Sequence, residues 1–145
     1  LNSRLDAIQA AILRVKLKAL IEHELEDVNR ISRHYGKRLE GLVETPFIPG
    51  DYRSSFAQYT IRLKSKDERD RLQAGLKEQG IPSVIYYVKP MHRQDAFAKL
   101  EWDDRDYPVT SELCDTVLSL PMHPYLSEES IEMVSGHIQR ILQSA

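Results

Sequence analysis

The chain of 145 residues holds a single cysteine, Cys114. That excludes an intrachain disulfide framework and suits a reducing compartment, with the cytoplasm as the expected location. Cys114 falls in Glu112-Leu113-Cys114-Asp115, a stretch of helical character, where a small buried filler is expected rather than a nucleophile. No apolar run approaches the ~20 residues that a membrane helix needs. Glycine is scarce, at six residues, and none is arranged as a phosphate-cradling loop. His23, His34, His92, His123 and His137 lack ligand spacing, so no metal site is expected. Neither sign of charge dominates: 20 basic against 22 acidic residues give −2, which calls for neither nucleic acid nor an anionic membrane surface. The cluster Arg14, Lys16 and Lys18 lacks interleaved aromatics and reads as a solvated helix face.

What remains is ordinary globular composition, 41% hydrophobic and 29% charged, of a length that suits one domain with its own core. Leu5, Ile8, Ile12 and Val15 recur at the helical period as one stripe, and Leu13, Leu17, Leu20 and Ile21 form a second. Ser3 followed by Asp6 resembles a capping box, which puts the helix under way by Leu5. Leu25, Val28, Ile31, Tyr35, Leu39 and Leu42 continue a single face with no intervening proline. Residues 1–44 are therefore predicted to be one long helix, with an uninterrupted span of about 55–60 Å. Two apolar stripes in its first half require more than one neighbour. That half is expected to pack on material outside the chain or on a second subunit.

Residues 51–145 are predicted to form an α/β unit behind the connector Thr45-Pro46-Phe47-Ile48-Pro49-Gly50-Asp51. Gln58–Leu63 reads as a strand, and a helix capped by Ser65 and Glu68 runs to Gly80. Ile81–Tyr87 reads as a second strand, followed by a loop with a helical turn near Asp95–Leu100. Asp106 is predicted to cap a helix entered through Pro108, with Val109, Leu113 and Val117 inward. Val117–Leu120 is the third predicted strand, closed by Pro121 and Pro124. Ser127 caps a last helix with Ile131, Val134, Ile138 and Ile141 on one face. The predicted class is α+β (α/β-like): a long N-terminal helix and a small three-stranded antiparallel or mixed sheet covered by helices.

Two places carry chemical groups in a suggestive pattern. Asn2 and Arg4 stand at or just before a helix N-terminus, where unpaired N–H groups and the helix dipole favour an anion. An amide and a guanidinium there can grip a phosphate or carboxylate; an ordinary capped helix with a surface arginine accounts for the same residues. The run Tyr86-Tyr87-Val88-Lys89-Pro90-Met91-His92 brings two phenols, an ammonium and an imidazole to a strand end. Such groups stack on sugar rings and donate to hydroxyls or phosphate. The alternative is that Tyr86 and Tyr87, on opposite strand faces, are one core and one surface residue.

Several runs also carry a resemblance. Asn2-Ser3-Arg4-Leu5-Asp6 with Gln9-Ala10-Ala11-Ile12-Leu13 comes first, then Ala57-Gln58-Tyr59-Thr60 and Gly80-Ile81-Pro82. Tyr86 to His92 and Leu118-Ser119-Leu120-Pro121-Met122-His123-Pro124 complete the series. In that order they resemble the C-terminal region of DegT/DnrJ/StrS-type sugar-nucleotide aminotransferases, from Asn2 to about Ile141. The resemblance implies that residues 1–145 are the small C-terminal domain of a fold-type I pyridoxal-phosphate enzyme. The large cofactor-binding domain is then expected to be absent from this chain.

The implied reaction is a ping-pong transfer of an amino group, usually from glutamate, to a keto-sugar nucleotide in polysaccharide or O-antigen sugar biosynthesis. The implied assembly is a homodimer in which Asn2 reaches the cofactor phosphate of the other subunit, while Arg4, Tyr86, Tyr87 and His92 face substrate. In most relatives the strand-end motif reads His-Tyr-Pro-x-Pro-Leu-His; here Tyr86 and Val88 replace its first histidine and first proline. The Ala57-Gln58-Tyr59-Thr60 run looks most like members acting on UDP-linked acetamido keto-sugars. No lysine falls in the family's lysine motif, so no catalytic residue is assigned and the chain alone is expected to be inactive. The rival readings are a dimerisation module built on the long helix and a small-molecule regulatory domain built on the middle section. Incubated with pyridoxal phosphate, the chain is expected to give no stable yellow adduct. Absorbance followed by borohydride reduction and peptide mapping checks this, and fixation at one lysine would contradict it.

Overall fold

The computed structural model describes residues 5–144. The predicted long helix is present as two α-helices joined by one wider turn: α1 (Ala7–Ala19), a π-turn at Leu20–Glu24, and α2 (Leu25–Leu39). Its start lies a turn later than predicted. Asp6 is extended and is itself the N-cap, its carboxylate accepting from the Gln9 N–H at 2.7 Å; Ser3 lies outside the described residues. Its end comes at Leu39 rather than Glu44, because Glu40 turns to ψ 130° and Gly41 takes φ +75°, a conformation open to glycine. Within the π-turn, Glu24 is buried and accepts from the Tyr125 hydroxyl at 2.5 Å. A charged bond of this kind fixes where the wider turn falls.

The sheet is smaller than predicted. β1 (Tyr59–Arg62) and β2 (Val117–Leu120) pair antiparallel, with Tyr59 opposite Leu120 and Ile61 opposite Leu118. The predicted second strand, Ile81–Tyr87, contributes only an isolated bridge in which Val84 and Ser119 exchange both backbone bonds, at 3.1 and 2.8 Å. Pro82 has no N–H to continue a ladder, so pairing there is confined to a single residue. Tyr59 and Ile61 point into the core and alternate with half-exposed Thr60 and Arg62. All four residues of β2 are buried.

Three helices cover this pair: α2, α3 (Lys66–Glu78) and α5 (Glu128–Gln143). Val28, Ile31, Tyr35 and Leu39 supply the inward face of α2 at spacings of three and four. Leu72 and Leu76 do so for α3, and Ile131, Val134 and Ile138 for α5. α3 and α5 approach closely at Gly75, where a Cβ would stand 2.7 Å from Ile141 Cδ1. Ser65 and Ser127 cap α3 and α5 as predicted, each accepting at 3.2 Å. The helix α4 (Pro108–Thr116) departs from prediction. Tyr107 rather than Asp106 stands at its N-cap, and Asp106 is drawn into a short 3-10 turn with Asp103. Val109 and Leu113, both predicted inward, are exposed, while Val117 and Cys114 are buried. The buried Arg69 guanidinium ties α3 to α4 by donating to the Cys114 carbonyl at 3.1 Å.

α1 has no buried residue, and both of its apolar stripes stand open, with Ile8 76% and Leu17 54% exposed. In urea unfolding, Ile138→Ala is expected to cost about 2–5 kcal/mol. Ile12→Ala, on an open stripe, should change stability by no more than about 0.5 kcal/mol. Equal losses would contradict this placement of the core.

Candidate functional site

The segments singled out in the sequence converge beyond the ends of the two strands. Ala57 and Gln58 precede β1, Pro82 leads to the bridge residue Val84, and Ser119 to Met122 lead out of β2; with Tyr86 they line a cleft of about 190 Å³. Tyr86 is also a wall of a larger neighbouring cleft of about 490 Å³. That cleft lies between the Tyr86–Gln94 segment and α4, over an apolar floor of Leu113, Cys114 and Val117. One phenol thus partitions two adjoining spaces.

Each wall is held from below. Tyr35 on α2 stacks on Tyr59 at 5.1 Å between ring centroids and donates its hydroxyl to the Pro121 carbonyl at 3.2 Å. Burial drives the Tyr35 phenol well above its ordinary pKa and pushes Tyr59 up to about 12, so both stay neutral donors. Ser119 is buried with its hydroxyl 2.8 Å from that of Thr60. On the β1 side, Phe56 is buried with φ +40°, a strained conformation for an aromatic residue. The surroundings enforce it: the Phe56 N–H donates to Ser54 Oγ at 3.1 Å. The Asn29 amide donates to the Ser54 carbonyl at 2.8 Å and the Leu25 carbonyl at 2.7 Å. Ala57 and Gln58, the next two residues, line the smaller cleft.

Tyr86 and Tyr87 are both exposed, at 41% and 70%, which removes the alternative of one core and one surface residue. Their rings meet edge to face at 5.8 Å. Lys89 lies on the rim of the larger cleft and pairs with Asp95 at 2.5 Å. His92 is placed differently from the phenols. It is 7% exposed, stacked on Tyr107 at 5.0 Å, with Nε2 2.7 Å from Asp104 Oδ1. The same carboxylate takes two bonds from the Arg93 guanidinium and one from the Ser111 hydroxyl at 3.2 Å. Arg93 first, then His92, hold the Asp104 carboxyl well below the usual carboxylate range. Asn2 and Arg4 lie outside the described residues.

Sequence reasoning brings out Gln58, Pro82, Tyr86, Tyr87 and the Leu118–Pro124 run, which the fold gathers together. It misses Asp104, whose neighbours read as a helix cap, and Tyr35, which reads as one more residue of an apolar helix face. Nothing local to Phe56 announces its backbone conformation.

A model of the DegT/DnrJ/EryC1/StrS aminotransferase family matches residues 1–139. Over 134 residues the chain is 39% identical to UDP-2-acetamido-2-deoxy-3-oxo-D-glucuronate aminotransferase of Pseudomonas aeruginosa, covering 92% of this chain and 35% of that protein. Over 142 residues it is 39% identical to UDP-N-acetyl-3-dehydro-alpha-D-glucosamine 3-aminotransferase of Acidithiobacillus ferrooxidans, covering 97% and 37%. The solved structure of a DegT DnrJ EryC1 StrS aminotransferase from Brucella abortus superposes with a TM-score of 0.86 at 44% identity, covering 98% of this chain and 37% of that one. The chain spans little more than a third of the length of these relatives.

Pyridoxal phosphate, the cofactor that the resemblance implies, needs a desolvated lysine amine beside a phosphate cradle. Every lysine of the chain, from Lys16 to Lys99, is exposed. The described residues therefore do not fit its covalent seat, and no chemical step is assigned to them.

The depressed pKa of Asp104 has a definite sign. Its stabilising contribution is complete above the ordinary carboxylate value of about 3.9 and is lost as pH falls below it. The gap in thermal midpoint between the native chain and Asp104→Asn is expected to be widest above pH ~5 and to narrow toward pH ~3. Melts across that range check this; a gap independent of pH would contradict the ion pairing.

Proposed function

The chain belongs to the DegT/DnrJ/EryC1/StrS aminotransferase family, and from that premise we propose that it forms the substrate-facing wall of a sugar-nucleotide transaminase. In this reading it is the small C-terminal domain of a pyridoxal-phosphate enzyme that aminates a UDP-linked acetamido keto-sugar, with glutamate as the usual donor. The cofactor, when bound, supplies the electron sink for the exchange. This chain's residues bind and orient the sugar nucleotide. The observation that carries the proposal is the convergence of four separate motif segments on the smaller cleft, which shares its Tyr86 wall with the larger one.

The roles follow from the groups available. The exposed Tyr87 phenol donates to a sugar hydroxyl or the diphosphate, and Tyr86 offers a ring face and a hydroxyl between the two clefts. The exposed Gln58 amide supplies one donor pair and one acceptor for an acetamido group. Asn2 and Arg4 are proposed to meet the cofactor phosphate of a second subunit and an anionic substrate group. His92 contributes through the shape of its loop, since its ring faces Asp104. The open stripes of α1 suit burial against the rest of such an enzyme or its second subunit, in a homodimer. No helix among the described residues is long and apolar enough to cross a membrane. The reading places the enzyme in the cytoplasm, where sugar nucleotides are made.

Titration with a UDP-linked acetamido sugar, followed by NMR, is expected to shift the resonances of Gln58, Tyr86 and Tyr87. Tyr87→Ala should weaken binding by about tenfold, the worth of one charge-assisted hydrogen bond. Binding that leaves these resonances unmoved would exclude the cleft as the sugar-nucleotide wall.

A further inference from the structure

Asp104 lies outside both clefts, yet its carboxylate is bonded to residues adjoining both walls of the larger one. On one side it binds His92 and Arg93, which stand beside the lining residues Met91 and Gln94. On the other it accepts from Ser111 of α4, next to the lining residue Thr110. We propose that Asp104 is a positioning residue that sets the width of this cleft, and through it the fit of a nucleotide held there. The proposal rests on the sugar-nucleotide reading for the identity of the ligand, but not for the clamp itself.

An ionised carboxylate offers about four acceptor sites. Here Oδ1 takes the His92 ring, Arg93 Nε and Ser111 Oγ, and Oδ2 takes the second Arg93 nitrogen. Four bonds thus converge on one carboxylate, and displacing either side breaks at least one of them. His92 cannot follow such a displacement freely. Its ring is buried and stacked on Tyr107, which immediately precedes α4, so the imidazole is wedged between the carboxylate and the start of the opposite wall. The neighbouring acids are engaged elsewhere, Asp103 with the exposed Arg105 and Asp106 with the Asp103 N–H. Misplacing a binding group by about an ångström is enough to cost a ligand much of its affinity or reactivity. A clamp between the walls thus controls binding without touching the ligand.

The test compares the chain with Asp104→Asn, Asp104→Glu and, as a control that pairs only with Asp103, Arg105→Ala. Three readouts are recorded: the side-chain resonances of Met91 and Leu113, the emission of Trp102, and UDP affinity by NMR titration. Trp102 is the chain's sole tryptophan and meets Tyr107 edge-on at 6.0 Å, so it reports the node optically. Asp104→Asn is expected to shift Met91 and Leu113, change Trp102 emission and lower UDP affinity by about tenfold or more. Asp104→Glu should recover part of each effect, and Arg105→Ala should match the native chain. If the native chain binds UDP and Asp104→Asn binds it equally well, the proposal is overturned. If the native chain does not bind UDP, the ligand assignment fails. The clamp then stands if Met91 and Leu113 still shift together in Asp104→Asn, and falls if they do not.

Discussion

Tyr35 stacked on Tyr59 is the buried contact from which the other placements follow. One phenol belongs to the long helix and the other to β1, and the two rings meet in the centre of the core. The Tyr35 hydroxyl then reaches the Pro121 carbonyl just past β2, linking a helix to the exit of a strand 86 residues further on. A two-stranded sheet has little stability of its own, so its position is set by what packs on it. Fixing Tyr59 and Pro121 from one side chain fixes both ends of the cleft that opens between Gln58 and Met122. The geometry of the cleft is thereby inherited from the core, which is the part of a domain least free to relax.

The two ends of the molecule are built on different terms. Around the cleft, apolar packing sets the backbone and polar bonds finish it: Asn29 on the Ser54 carbonyl, Ser119 on Thr60, Asp104 between two walls. At α1 nothing is finished. Its two stripes are as apolar as a core helix yet remain open, and the Glu24–Tyr125 bond holds the π-turn from which α1 extends. A helix with two uncovered faces is a surface suited to neighbours, as the proposed role of a small domain in a larger enzyme requires.

Most of this architecture is legible in the residues, where local signals and burial agree. Helical periods mark α2, α3 and α5, serine caps mark the starts of α3 and α5, and Gly80 marks the end of α3. The strand predicted over Ile81 to Tyr87 fails because its strand-like composition is overridden: Pro82 and the turn at the tyrosines leave one residue paired. The predicted α4 cap fails because four acids lie within residues 101–106, and only tertiary contacts decide which of them binds what. Of the candidate site, Tyr86 and Tyr87 are visible as residue types at a strand end. The supports beneath them escape notice for two reasons. Tyr35 acts through a partner 86 residues away and Asp104 through loop and helix residues that no local pattern links to it, and the Phe56 backbone is held by a turn that Asn29 braces from α2.

A crystal structure of the proposed complete enzyme with a UDP-linked amino-sugar product would decide whether the cleft divided by Tyr86 is the sugar-nucleotide wall of a transaminase. The Tyr87 hydroxyl is expected within hydrogen-bonding distance of the sugar or diphosphate, and Gln58 in contact with the ligand. A ligand that touches none of residues 57–58, 82–87 or 119–122 would contradict that assignment.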